Sequence, residues 1–277
     1  MITIKLQYWP TAWWQRLVLF RTDAFCASRP VVLERHLPKS WNELNPAQLR
    51  ALAKTNFILK SESAKKIYLC YRFLKVPLWF FLRINSQDLL YIYNHLSAMM
   101  GNNTLSKTIL SKVRVGLGCW LGPDHYGKNM SFLEFIKADN YYSAFMQSGN
   151  TEHLNHLVAV LYRPSRTDLW QESPDFKGDE RIPLNEYHIT DRAKQARRIH
   201  LVDRYAILLQ YAGLRAYLQQ RYPETFSGGK PSRFGWAGVI ISLSGEKFGD
   251  DDAVASKNIH AILTHLEITL ENLHKTT

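Results

Sequence analysis

His153 and His156 stand three residues apart in a stretch with helical periodicity, close enough on one helix face to share a metal ion. Asp139, in the preceding segment, could add an oxygen ligand. The pattern stops there, because no His-Glu-x-x-His, Glu-x-x-His or Cys/His cluster completes a coordination shell. Two histidines at helical spacing usually sit on a solvated face. Other chemical signatures fail on inspection. "FSGGKPS" contains Gly229 and Lys230, but Glu224 replaces the first glycine of a phosphate loop and Pro231 the magnesium-binding hydroxyl. "VGLGCWL" supplies Gly116 and Gly118, whereas Leu121 stands where a dinucleotide fingerprint needs a third glycine. Asp250, Asp251 and Asp252 lack the alternate spacing, central glycine and distal glutamate of a calcium loop. No Gly-x-Ser-x-Gly elbow appears, and Cys26, Cys70 and Cys119 occupy no recognisable catalytic context. These absences predict a protein without catalytic residues, metal or cofactor.

Binding chemistry is better represented. "YWPTAWWQRLVLF" groups Trp9, Trp13 and Trp14 with Arg16, the residue types that desolvate large areas in interface hot spots. The alternative is that Trp13, Leu17 and Phe20 pack on a core. Trp236 and Ile240 lie in a second apolar stretch and are candidate partner-binding residues with the first group. Arg192, Lys194, Arg197 and Arg198 open a helix with a basic turn that could hold phosphate; a solvated face balanced by Asp191 and Asp203 is the plainer reading.

The elements that would position these residues are mainly helical. Asn45 can cap a helix that starts on Pro46, where the missing N–H costs nothing. Further helices are expected over Ser61 to about Val76, ended or kinked by Pro77, and over Ser86 to Met100, closed by Gly101. Residues 101–130 mix glycine, turn formers and a β-branched run, so short strands or an irregular loop are expected. "SFLE" (131–134) fits a capping box opening a helix that Gly149 ends. Thr151 is expected to cap the next helix, whose Leu154, Leu157, Val158 and Leu161 form an apolar stripe. One long helix is expected from Asp191 to about Gln220. A terminal helix pair follows, with Asp250 to Asp252 at a helix start and Ile259, Ile262, Leu263, Leu266 and Leu270 on one face. The fold class is mainly α, a multi-helix protein with a short irregular or β-containing segment around 101–130.

Composition sets outer bounds. The 277 residues, 46% hydrophobic, can bury a real core and exclude a disordered or low-complexity chain. Three cysteines, odd in number and far apart, suit free thiols in a reducing compartment. The first twenty residues make a poor secretory signal, because Pro10 and Arg16 break the apolar run. "FLKVPLWFFL" (73–82) is about half of the ~20 residues a membrane span requires and reads as a buried helix. A soluble, cytoplasmic protein is expected. The net charge of +11 lies almost wholly on residues 1–162, which hold 19 Lys/Arg against 9 Asp/Glu, while the rest hold 16 against 15. That asymmetry suits either solubility or contact with phosphate. The polar run 163–190, with three prolines, is expected to be a linker or long loop between a basic helical domain, 1–162, and a C-terminal helical domain, 191–277; a single domain is the alternative.

Three stretches together resemble a group of bacterial prophage proteins associated with the tail-gene region: "LPKSWNEL", "GPDHYGKNMSFLEFIKADNYYSAF" with "HLNHLVAVLYRP", and "FGWAGVIISLSGEKFGDDDAVASKNIHAILTHLE". The resemblance spreads over most of the chain from Leu37 onward. It implies a non-enzymatic structural or assembly part, of the kind of a tail-assembly chaperone that holds an apolar helical segment of another phage or host protein, in the bacterial cytoplasm or associated with the virion. It carries no catalytic residues. The alternative is a nucleic-acid-binding protein that uses the basic first half.

Overall fold

The computed structural model describes residues 2–8, 31–166, 178–227, 235–245 and 248–276. Twelve α-helices and two small sheets occur among them, so the chain is mainly α as its periodicity predicts. None of the described helices is long and apolar enough to cross a membrane. Backbone packing divides the chain into two compact units, residues 1–102 and 103–277. The expected division at 163–190 differs from this, since the described part of that run lies within the second unit.

In the first unit, β1 (Ile2–Tyr8) pairs antiparallel with β2 (Val31–Leu37), Ile2 opposite Leu37 and Tyr8 opposite Val31. Four helices follow: α1 (Pro46–Phe57), α2 (Glu62–Leu74), α3 (Leu78–Phe81) and α4 (Ser86–Met100). Helix α1 begins where its sequence demands. The Asn45 side chain accepts from the N–H groups of Ala47 and Gln48, Gln48 reaches back to the Asn45 N–H, and Pro46 takes the first position. Leu37, Trp41, Leu49, Leu52, Leu69, Phe73, Ile92 and Leu96 form the core. Each such side chain contributes about 1.5–3 kcal/mol by leaving water. The segment 73–82 is not one buried helix. Lys75 adopts the left-handed conformation (φ 51°) and ends α2; Pro77 then starts α3, which buries Phe80 and Phe81 and leaves Leu78, Trp79 and Leu82 in solvent. Gly101 is the C-cap of α4, as expected, in the right-handed conformation (φ −54°).

The second unit opens with a hairpin, β3 (Lys112–Val115) and β4 (Gly118–Leu121), extended by the short β5 (Arg163–Pro164) in the order β3-β4-β5. The β character anticipated around 101–130 is this hairpin. Next come α5 (Phe132–Ser148) and α6 (Thr151–Leu161), reversed by Gly149 at φ 65°. Asn150, not Thr151, caps α6, because its side chain accepts from the Glu152 N–H. The expected long helix is two, α7 (Ile189–Ala196) and α8 (Leu201–Arg221), with His200 restarting the helix by accepting from the Val202 N–H. The C-terminal pair is also subdivided: a short α9 (Pro223–Ser227) precedes α10 (Gly235–Leu243), α11 (Asp251–Ser256) and α12 (Ile259–Thr276). Asp250 caps α11 with Asp251 and Asp252 in its first turn, as their charge predicts. Ile259, Ile262 and Leu263 are buried, whereas Leu266 and Leu270 are half-buried.

Candidate functional site

Four charged side chains organise the second unit from within. Glu134, in the first turn of α5, does not reach back to complete a capping box; Ser131 caps alone. The Glu134 carboxylate instead turns inward and is buried between two buried arginines. Arg181 donates from Nη1 to Glu134 Oε1 at 2.6 Å and from Nε to Asp179 Oδ1 at 2.9 Å. Arg163 donates from Nη2 to Glu134 Oε2 at 3.3 Å and to Asp179 Oδ2 at 3.4 Å. Remaining donors go to backbone carbonyls: Arg163 to Val160 and Ile182, Arg181 to Leu161 and Asn129. Two cations and two anions cancel, the condition under which buried charge is tolerated. Burial opposes the Arg181 charge, yet Glu134 and Asp179 hold its pKa above the ordinary value. For Arg163 burial prevails, aided by the neighbouring Arg181, and its pKa is lowered.

This network holds one wall of a cleft of ≈ 610 Å³, lined among others by Ser111, Lys112, Asp124, His125, Lys128 and Glu180. Asn129 joins the two, accepting from the Asp124 N–H at 2.7 Å and donating to Asp179 at 3.2 Å. The loop 122–129, "GPDHYGKN", is held tightly. A Cβ on Gly122 would stand 2.6 Å from Tyr162 Cζ, so only glycine fits there. Tyr126 is left-handed (φ 63°), a strained conformation for a non-glycine residue. It is fixed by its N–H on Ser106 O at 2.8 Å and by His260 Nε2 on its own carbonyl at 2.8 Å. His125 Nδ1 accepts from the Thr108 N–H at 3.0 Å, which leaves Nε2 as the proton-bearing nitrogen of the neutral ring. Tyr162 lies behind the cleft, donating to Leu110 O and accepting from Gln210; burial raises its pKa. With Lys112 and Lys128 against Asp124 and Glu180, the cleft can bind polar groups of either sign.

The metal candidates do not converge. Asp139 accepts from Arg215 Nε at 2.6 Å and from Tyr211 OH at 3.4 Å, whereas His156 donates from Nδ1 to Glu152 O and stacks on Tyr141. Among the described residues no three His, Cys, Asp or Glu side chains stand close enough to hold a metal ion. Cys70 is buried, which pushes its thiol up to about 11, and Cys119 is exposed.

Trp9, Trp13, Trp14 and Arg16 lie outside the described residues, as does Cys26. Trp236 is half-buried, its ring edge-on to Phe132, Phe135 and Phe226 at 5.2–5.8 Å. Ile240 is half-buried beside the exposed Ile241. The four basic candidates separate. Arg192 is buried and donates to Asn185 O, so it cannot share a phosphate with the others. Lys194 pairs with Asp191 at 2.8 Å and Arg197 with Glu152 at 2.6 Å. Arg198 is exposed, and its Nη1 lies near the β3–β4 turn, 4.0 Å from where a Cβ on Gly116 would stand.

Sequence reasoning passes over two surface features. One is the turn of α3, with Leu78 56%, Trp79 58% and Leu82 73% exposed, in the same unit as exposed Ile67, Leu90 and Tyr91. The other is Leu117, 100% exposed between two glycines at the hairpin tip. Compared with protein-family models, with curated proteins and with solved structures, the chain matches none.

Proposed function

We propose that the chain is a non-enzymatic phage or prophage component that acts in virion or tail assembly through protein–protein contacts, its partner presenting an apolar helical segment. The observation that supports this reading is the exposed apolar surface of the first unit. Leu78, Trp79 and Leu82 are each more than half exposed, and large exposed apolar patches mark interaction sites. Ile241, Ile268 and Leu273 extend the same character to the terminal helices of the second unit.

The test is co-expression with the proteins encoded beside it, followed by size-exclusion chromatography with light scattering. A defined complex that Leu78→Ser with Leu82→Ser dissolves, while circular dichroism and melting stay unchanged, is the expected result. A chain that elutes as a monomer beside every one of those proteins, in wild type and variant alike, would overturn the reading.

A further inference from the structure

The β3–β4 hairpin is built around a feature that folding does not require. Its two-residue turn places Gly116 at φ 59°, the conformation a II′ turn needs at its first position, and Leu117 second. A polar or small residue at that second position would fold as well and cost less hydration. Instead Leu117 stands fully in solvent, and Gly116 and Gly118 flank it without side chains, so another surface can approach the backbone closely.

The hairpin is rooted. Val113 and Trp120 face each other across it and are both buried. Strand alternation then sends Lys112, Arg114 and Cys119 to the outer face, where all three are exposed. Arg114 Nε donates to Gly116 O at 3.3 Å, which holds its guanidinium beside the turn. The end of α7 brings a second guanidinium to the same place, that of Arg198. Two neighbouring acids are paired with other cations, Glu152 with Arg197 and Asp191 with Lys194, while Asp124 and Glu180 line the cleft that Lys112 also borders. Among the described residues Lys112, Arg114 and Arg198 form no ion pair.

We propose that the β3–β4 hairpin is a duplex-DNA contact, in which Leu117 enters a groove as an apolar wedge while Lys112, Arg114 and Arg198 hold backbone phosphates. The inference is independent of the assembly role. Two guanidiniums offer forked donors that match phosphate oxygens, and a lone aliphatic side chain on the same turn matches a base step that a minor-groove binder pries open. An anionic membrane is a poorer match, because interfacial binding needs a face of several apolar residues and the tip supplies one.

Fluorescence anisotropy with a labelled DNA duplex of about two helical turns tests it. Three phosphate contacts predict a slope of log affinity on log salt of about −2.7, or roughly 40-fold weaker binding between about 50 and 200 mM salt. Arg114→Ala with Arg198→Ala should reduce that slope by about 2 units, as each lost contact contributes about 0.9. Leu117→Ala should weaken binding severalfold and leave the slope unchanged, since a wedge releases no counterion. In a second measurement, duplex should slow alkylation of Cys119 in the wild-type protein, read by mass spectrometry of that peptide. Circular dichroism checks that each variant is folded. The proposal is overturned by duplex binding that neither variant alters, by Cys119 reactivity indifferent to bound duplex, by no binding at the lower salt, or by binding to phosphatidylserine vesicles in place of DNA.

Discussion

His260 shows how a single side chain can tie distant stretches of sequence. Its Nε2 donates to Tyr126 O, and in the neutral ring Nδ1 accepts from Tyr222 OH at 2.9 Å, so one imidazole joins α12 to the strained loop and to the end of α8. Burial lowers its pKa, and the nearby Arg221 and Lys128 lower it further against the opposing bond to Tyr126. A histidine whose folded pKa lies below its unfolded value of about 6.5 binds more protons when unfolded. Stability contributed by the neutral ring is therefore complete above that value and is lost as pH falls through it towards the folded pKa. Thermal melts from about pH 7 to about pH 5 should show a steeper loss in the wild type than in His260→Gln, which keeps a donor for Tyr126 O and does not titrate. Parallel profiles for the two proteins would refute this role.

At the scale of elements, α8 approaches the segment before β3 closely. Gly213 has no side chain because none fits: a Cβ there would stand 2.3 Å from Leu105 O and 2.7 Å from Asn103 Oδ1. The approach is sealed by Asn103 Nδ2 donating to Leu209 O at 2.7 Å and by Gln210 Oε1 accepting from the N–H groups of Ile109 and Leu110. Gly213→Ala should favour the helix by up to ~1 kcal/mol through propensity. It must also push a backbone carbonyl aside, and overpacking of this kind costs about 1–3 kcal/mol or more. A net loss of stability in chemical denaturation is expected. A variant more stable than wild type would show that the 103–105 segment yields freely.

The whole molecule is two compact units, each with its own core, and this has a thermodynamic consequence. Among the described residues, replacing Glu134 by Gln leaves Arg163 and Arg181 buried with Asp179 as their one remaining anion. Breaking a buried ion pair from one side costs about 3–5 kcal/mol. The damage belongs to residues 103–277, since Arg163 and Arg181, the described partners of the Glu134 carboxylate, lie there. Calorimetry should resolve two transitions in the wild type, with Glu134→Gln lowering one of them and leaving the other in place. A single transition that shifts as a whole would show the units to unfold cooperatively.

The sequence by itself determined what depends on near neighbours along the chain. The mainly α class followed from apolar residues at 3.6-residue spacing, and the starts of α1 and α11 from Asn45, Pro46 and Asp250, because a cap bonds to N–H groups two or three residues away. The β segment was legible from glycines and β-branched residues, though its pairing was not. Only the tertiary structure decided the rest. Glu134 looked like half of a capping box, but a carboxylate buried beside two arginines gains more from them than from one N–H, and those arginines lie 29 and 47 residues on. Arg192 shared its basic turn with Arg197 and Arg198, yet five and six residues along the chain carried those two to the solvent side. Leu117 and the turn of α3 read as ordinary apolar residues, because exposure is a property of what packs against a side chain and no local spacing encodes it.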